Sequence, residues 1–127
     1  MSEKIAISTD KAPAAIGTYS QAIRHGQTVY ISGQIPLDPE SMQIATTDVE
    51  GQIDQVLRNV TAVCEAAGGS LDDVLKFTVY LTDLANFGLV NQVMESYLTK
   101  PYPARAAIEV SALPKAAQVE IDAVMGI

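Results

Sequence analysis

The chain has 127 residues, of which 48% are hydrophobic, with 8 basic and 15 acidic side chains and a net charge of −7. This length and composition are typical of one globular domain spanning residues 1–127. The negative charge repels phosphate backbones, and no cluster of Lys or Arg makes a local exception, so nucleic acid is not an expected partner. The polar N-terminus lacks a secretion signal, and no apolar run is long enough to span a membrane. With one cysteine, Cys64, and therefore no intrachain disulfide, we expect a cytoplasmic protein.

The first third of the chain predicts short strands separated by loops. Residues 4–7 form a short apolar start, and residues 12–21 are a loop that contains proline and glycine. Two strands, Ile23–His25 and Thr28–Ser32, are joined by a Gly-Gln pair that is typical of a tight hairpin turn. Residues 33–47 contain two prolines and predict an irregular surface loop.

A long amphipathic helix begins at Asp48. Apolar residues recur from Val49 at helical spacing along one stripe, and the pair Gly68-Gly69 ends the helix. From Leu75 to Leu81 the period changes to alternation of apolar and polar residues, which predicts a strand.

A second helix and two further strands complete the chain. The helix is capped by Asp83 or Asn86, and prolines end it before the strands predicted over residues 104–110 and 118–125. The order β-β-β-α-β-α-β-β indicates an α+β domain. Two helices cover only one face of such a sheet, so a second copy of the chain is the simplest cover for the other face. The residues expected on that other face are Tyr30, Thr78, Tyr80, Ala107 and Val124.

Arg105 and Glu120 are single charges within otherwise apolar or small-residue strands. An unpaired buried charge is strongly unfavourable, so Arg105 requires an anion. If residues 111–114 join the last two strands as an antiparallel hairpin, Val110 faces Lys115 and Arg105 faces Glu120. Two interpretations stay open: a structural ion pair, or an arginine whose remaining donors bind a ligand carboxylate while Glu120 acts on water.

Other reactive side chains have ordinary interpretations. His25, the one histidine, precedes a turn glycine and is expected at the surface, while Cys64 lies on the apolar stripe of the first helix and is expected in the core. Asp72 and Asp73 come just before a strand and are expected in a turn or cap. The chain contains no Gly-rich phosphate loop, Cys-x-x-Cys pair or His-Glu-x-x-His motif, which argues against nucleotide and metal chemistry.

Several separated motifs stand at intervals shared with one known family. They are Ala12–Gln21 (APAAIGTYSQ), Ile31–Pro36 (ISGQIP), Asn59-Val60, Asn91, Pro103-Ala104-Arg105, and Leu113-Pro114-Lys115 with Val119-Glu120-Ile121. On these motifs the chain resembles, over essentially its whole length, the Rid family of reactive intermediate deaminases, also called the YjgF family.

The resemblance implies a chorismate-mutase-like α+β fold, with a mixed sheet, two helices on one face, and a homotrimer whose ligand pockets lie in clefts between subunits. It also implies hydrolytic deamination of enamine or imine intermediates, such as 2-aminoacrylate and 2-aminocrotonate, to 2-keto acids and ammonia. This is the chemistry of a 2-iminobutanoate/2-iminopropanoate deaminase. Because an imine is already electrophilic, no metal or cofactor is expected.

By position, the resemblance assigns the substrate carboxylate to Arg105 and the attacking water to Glu120. It assigns the lining of the pocket to Tyr19, Ser32, Gly33 and Asn91. The sequence departs from the family pattern at Thr18, where proline is common, at Ala107, where cysteine is common, and in a short segment before Pro103.

Three other functions are compatible with parts of this pattern. A non-catalytic trimer that senses small carboxylates would use the same arginine, and a larger enamine such as 2-aminomuconate would need a larger pocket. Ribonuclease activity, which is sometimes attached to the family, is disfavoured by the net charge of −7 and by the absence of a histidine pair.

Overall fold

The computed structural model describes residues 3–127, in which six strands form one sheet and two helices cover one of its faces. The strands are β1 (Lys4–Ile7), β2 (Ala22–His25), β3 (Thr28–Gln34), β4 (Val74–Leu81), β5 (Ala104–Glu109) and β6 (Val119–Gly126), and the helices are α1 (Val49–Ala66) and α2 (Phe87–Tyr97). The order of strands across the sheet is β1-β2-β3-β6-β4-β5. The predicted order of elements and the mixed α+β class are confirmed, and the apolar start of the chain is strand β1.

The ends of the helices follow the predicted signals. Asp48 caps α1 by accepting a hydrogen bond from the Gly51 amide at 2.9 Å. Beyond its other end, Gly68 has a φ of +94°, a backbone conformation that glycine adopts without strain. Asp83 accepts a bond from the Ala85 amide at 3.0 Å and caps the short 3₁₀ turn that leads into α2, whereas Asn86 makes no side-chain cap.

The core lies between the helices and one face of the sheet. Phe77 on β4 is fully buried there with Cys64 of α1, which confirms the predicted core position of the thiol. Burial raises the pKa of Cys64 to about 12, so the thiol stays protonated at neutral pH. His25 is exposed, also as predicted. Neither helix among residues 3–127 combines the length and the apolarity needed to cross a bilayer.

The predicted hairpin of the last two strands is wrong, because β4 lies between them. β5 runs parallel to β4, with Arg105 beside Phe77, and β6 runs antiparallel to β4, with Glu120 beside Tyr80. The helix α2 returns the chain to the same end of the sheet, which makes β5 parallel to β4, as in a βαβ crossover. The segment after β5 then passes the end of β4, and β6 enters the sheet between β3 and β4.

The face without helices is close to the predicted one, with a single correction. Four of the five predicted residues lie on this face, because they occupy alternate positions of β3, β4 and β6 that are in register across the sheet. They are Tyr30, Thr78, Tyr80 and Val124. Ala107 pairs with the buried Val79 and packs against the core, so it lies on the helix-covered face. Arg105 lies two residues before Ala107 on β5, so the two side chains point to the same face of the sheet.

Candidate functional site

Arg105 projects from β5 toward α2 and is held there by three contacts. Its Nη1 donates a hydrogen bond to Oδ1 of Asn91 at 2.6 Å and lies 3.7 Å from the sulfur of Met94. The guanidinium carbon lies 4.8 Å from the centre of the Phe87 ring, within the range of a cation–π contact. These contacts fix one side of the guanidinium and leave other donors for a ligand.

The first of the two interpretations of Arg105, a buried ion pair, is wrong for the single chain. Arg105 is exposed and has no carboxylate within 4.0 Å among residues 3–127. The ion pair found among these residues joins Arg58 to Asp54 across one turn of α1. The arginine instead lines a cleft of about 450 Å³. Other residues that line this cleft are Phe77, Asn91, Met94, Glu95, Leu98 and Tyr102.

Glu120 lies on the opposite face of the sheet, against the backbone of Gly33. A β-carbon at Gly33 would lie 2.9 Å from Cδ of Glu120, so a residue with a side chain cannot stand here unless the carboxylate moves. Burial raises the pKa of Glu120, and the negative charge of Asp122 raises it further. The carboxylate is therefore a stronger proton acceptor than an exposed glutamate.

The remaining predicted site residues are divided between the Glu120 cleft with its surroundings and the Arg105 cleft. Tyr19 lies in the cleft of Glu120 and Gly33, with about half of its surface exposed. Ser32 has a structural bond, because its hydroxyl donates to the carbonyl of Ser20 at 2.6 Å, and it lies beside Tyr19 in a neighbouring depression. Asn91 is in the other cleft with Arg105.

Two buried amides shape the loops around the Glu120 cleft, and the sequence interpretation gave them no role. Gln21 accepts a bond from the Thr9 amide at 2.6 Å and donates to the carbonyl of Pro13 at 2.8 Å. Asn59, which is 1% exposed, donates to the carbonyl of Leu37 at 3.0 Å. Gln21 and Asn59 both belong to the family motifs named above. For Asn59 the sequence also offers a direct indication, because a polar residue on the apolar stripe of a helix is buried and needs hydrogen-bond partners.

The structure thus forms two partial sites where the sequence predicted one pocket. Arg105 pairs with Phe77 and Glu120 with Tyr80, and these two β4 residues are three positions apart, so their side chains point to opposite faces. Within residues 3–127 no group of three or more metal-ligating side chains is present. The arrangement offers an exposed guanidinium in one cleft and a carboxylate with a raised pKa in the other.

Comparison with known proteins gives matches over nearly the whole chain. Residues 9–127 match the family model described as endoribonuclease L-PSP. The chain is 48% identical to the 2-iminobutanoate/2-iminopropanoate deaminase of Mus musculus, over 93% of this chain and 87% of the relative. It is 55% identical to RidA from an Antarctic Psychrobacter, with a TM-score of 0.94 over 97% of this chain and 99% of that one. It is 40% identical to Escherichia coli TdcF with bound serine, with a TM-score of 0.92 over 98% and 99%.

Proposed function

This chain belongs to the Rid (YjgF) family, and on that premise we propose that it hydrolyses reactive 2-imino acids and their enamine tautomers to 2-keto acids and ammonia. The proposed substrates include 2-iminopropanoate and 2-iminobutanoate, the two imino acids in the name of the mouse relative. The observation that carries the proposal is the guanidinium of Arg105, which Asn91 and Phe87 hold on one side while no carboxylate of the described chain neutralises it. A planar guanidinium placed in this way binds and orients a carboxylate through paired hydrogen bonds.

The proposed reaction needs one water molecule and one proton acceptor. Arg105 holds the carboxylate, and water adds to C2 of the imine while Glu120 accepts a proton from it. With the imine in its protonated form, addition gives a neutral carbinolamine, and Glu120 returns the proton it took from water to the carbinolamine nitrogen. The C2–N bond then breaks, ammonia leaves, and the hydroxyl on C2 gives its proton to the ammonia as the keto C=O forms, so protonated imine and water give keto acid and ammonium. The raised pKa of Glu120 suits a general base, because proton transfer is most efficient when the pKa of the base is close to the operating pH.

We further propose that the two partial sites meet between subunits of a homotrimer. Arg105 and Glu120 are on opposite faces of one sheet, so one chain cannot offer both to one small substrate. The face that carries Glu120 also exposes Tyr30 and Ile108, at 54% and 46%, which favours its burial against another copy. A closed ring of three would supply each cleft with Arg105 and Asn91 from one subunit and with Glu120, Gly33 and Tyr19 from the next.

Two other activities belong among the outcomes of the test. A regulatory trimer would bind keto acids without turnover, and the description of the family model names an endoribonuclease. The net charge of −7 and the exposed single histidine favour a small-molecule function over RNA cleavage, and the buried free thiol of Cys64 is compatible with action in the cytoplasm.

The direct test is release of keto acid from an imine generated in the assay. A serine or threonine dehydratase produces 2-aminoacrylate or 2-aminocrotonate, and the rate of keto-acid formation is followed with and without this protein. We expect acceleration by the wild type and a loss of about 10²-fold in kcat/KM for Arg105→Ala, because a charge-assisted hydrogen-bonding partner of the substrate is removed. Arg105→Lys should also be poor, since an ammonium does not reproduce the planar fork.

The matched control is Arg58→Ala, which removes an equal charge from the exposed surface of α1. It should leave the rate unchanged. No acceleration by the wild type, or full activity in Arg105→Ala, would contradict the proposal. Tight keto-acid binding without turnover would indicate the regulatory trimer instead.

A further inference from the structure

The Arg105 cleft combines an apolar wall with one carboxylate, and from this we infer the class of substrate that it selects. Resting on the proposed function, the inference is that the protein prefers 2-imino monocarboxylates with an uncharged apolar side chain. Glu95 is the specificity-determining residue that disfavours a second carboxylate on the substrate.

The apolar wall lies beside the arginine on the helix-covered side of the sheet. Phe77 and Met94 are buried at 0% and 3% exposure, and they close the inner end of the cleft. Leu98, half-buried, and Tyr102, 51% exposed, form its outer part. A substrate whose carboxylate bonds to the arginine and whose side chain enters this cleft therefore meets carbon and sulfur atoms.

This wall favours side chains longer than ethyl. Each methylene moved fully out of water contributes about four-fold in affinity. Because the outer part of the cleft is open, we expect a smaller gain, about 3- to 10-fold in total for a leucine-type side chain over ethyl. The volume of about 450 Å³ accommodates such a side chain.

Glu95 supplies negative charge to the same cleft. It lies one helical turn after Asn91 on α2, and residues four apart on a helix share a face. Asn91 bonds directly to Arg105, so Glu95 lines the cleft close to the guanidinium. Glu95 makes no ion pair with Arg105 among residues 3–127. A second carboxylate on the substrate meets a like charge here, and such repulsion is a common way to reject a competitor.

The segment that connects α2 to β5 places the outer wall. Leu98 stands at the end of α2 and Tyr102 precedes β5 by two residues, so few residues separate the helix from the strand. The hydroxyl of Thr99 donates to Oδ1 of Asp72 at 3.1 Å and ties this segment to the turn before β4. The short connection noted in the sequence therefore builds one side of the cleft, and it gives the preference a basis in this chain's own residues.

Binding of keto acids, the products of the proposed reaction, tests the inference without requiring turnover. Calorimetry would compare 2-oxobutanoate, 4-methyl-2-oxopentanoate and 2-oxoglutarate for the wild type, Glu95→Gln and Leu98→Ala. We expect 4-methyl-2-oxopentanoate to bind about 3- to 10-fold more tightly than 2-oxobutanoate, with 2-oxoglutarate weakest. Glu95→Gln should tighten 2-oxoglutarate about 2- to 5-fold, as expected for an exposed charge pair, and the gain should shrink in high salt.

The variants separate the contribution of the apolar wall from that of the Glu95 charge. Leu98→Ala should reduce the preference for 4-methyl-2-oxopentanoate without changing the affinity for 2-oxobutanoate by more than about two-fold. Glu65→Gln, which removes an exposed carboxylate near the end of α1, is the matched charge control and should change no affinity ratio.

The outcomes distinguish this inference from the proposed function. If the expected ranking is found but no imine is hydrolysed, the deaminase proposal fails and the selectivity of the cleft stands. If imines are hydrolysed but 2-oxoglutarate binds as tightly as 4-methyl-2-oxopentanoate in both the wild type and Glu95→Gln, the inference is wrong and the function stands. Absence of binding by all three keto acids would overturn the inference.

Discussion

The environment of Glu120 is the clearest case in which single residues adjust the chemistry of the candidate site. Its carboxylate lies against Gly33 on one side and shares the face of β6 with Asp122. Asp122 accepts a hydrogen bond from the hydroxyl of Tyr80 at 2.9 Å, and that bond is the main cause of the raised pKa of Tyr80. One charge thus raises the pKa of both neighbours.

Asp122→Asn should move the acidic limb of the pH–rate profile to lower pH. Glu120 acts as a base only when ionised, and its ionisation is lost as the pH falls through its pKa. Asp122 is one cause of the raised pKa, so removing its charge lowers that pKa and extends activity toward acid. The measurement is kcat/KM against pH for the wild type and the variant. Asp10→Asn, an exposed change elsewhere, should leave the limb in place, and an unmoved limb in Asp122→Asn would contradict the role of Glu120 as base.

Gly33→Ala should reduce activity through the position of Glu120. The added methyl group would lie 2.9 Å from Cδ of the carboxylate, which must shift to avoid it. Displacement of a catalytic group by about 1 Å reduces kcat/KM on the order of 10²-fold. Steady-state kinetics on the imine would measure this loss. Gly88→Ala is the matched control, because a β-carbon there meets nothing within 4 Å and should only stabilise α2, by about 0.5–1 kcal/mol.

At the scale of elements, the turn before β6 holds strain next to the Glu120 cleft. Lys115, which lines the cleft, and Ala116 both have a φ of 57°, in the left-handed region that favours glycine. The turn is closed by a bond from the Ala117 amide to the carbonyl of Pro114 at 3.1 Å. The adjoining Gln118 is tied to the start of α1 through its amide and side chain. These bonds hold a turn that its own residues disfavour.

Ala116→Gly should stabilise the protein, because it relieves this strain. A left-handed conformation costs alanine roughly 1–2 kcal/mol, and the greater freedom of glycine in the unfolded chain returns part of that. We expect a net gain of up to about 1 kcal/mol, measured as a higher midpoint of denaturation. Ala117→Gly is the opposite control, since Ala117 is 1% exposed with a φ of −62°, and it should destabilise. A lower midpoint for Ala116→Gly would show that the turn is not strained.

The elements were predictable from local pattern, but the neighbours of two strands were not. The apolar stripe of α1 and the alternation in β4 are properties of successive residues, so the sequence predicts both. The alternation in β5 likewise identifies which side chains share a face with Arg105. It does not say which strand lies beside β5, because pairing depends on the path of α2 and on which of the two edges of β4 each of the last two strands takes. The assumed hairpin therefore placed Glu120 opposite Arg105 when a strand separates them.

At the scale of the whole molecule, the two clefts lie on opposite faces of the sheet, so the proposed site needs groups from two chains. The motifs predict that Arg105 and Glu120 belong to one site, and that prediction does not require both residues to come from one chain. The location of the clefts on two faces of the sheet follows only from the three-dimensional pairing of β4 with β5 and β6. In the proposed homotrimer each active cleft needs one intact Arg105 cleft and one intact Glu120 cleft from different subunits.

Mixing two impaired variants should therefore restore activity. Arg105→Ala and Glu120→Gln should each lose all but a small fraction of the turnover alone, because every cleft of either trimer lacks one group. When equal amounts are unfolded and refolded together, a cleft is intact if one neighbour supplies Arg105 and the other supplies Glu120, which random assembly gives in about a quarter of clefts. Keto-acid release should then reach about a quarter of the wild-type rate, whereas mixing without refolding should give no gain over the separate variants until subunits exchange. Sedimentation of the refolded mixture as trimers is the control for assembly. A site built within one chain predicts no recovery in any mixture, because no subunit then carries both groups.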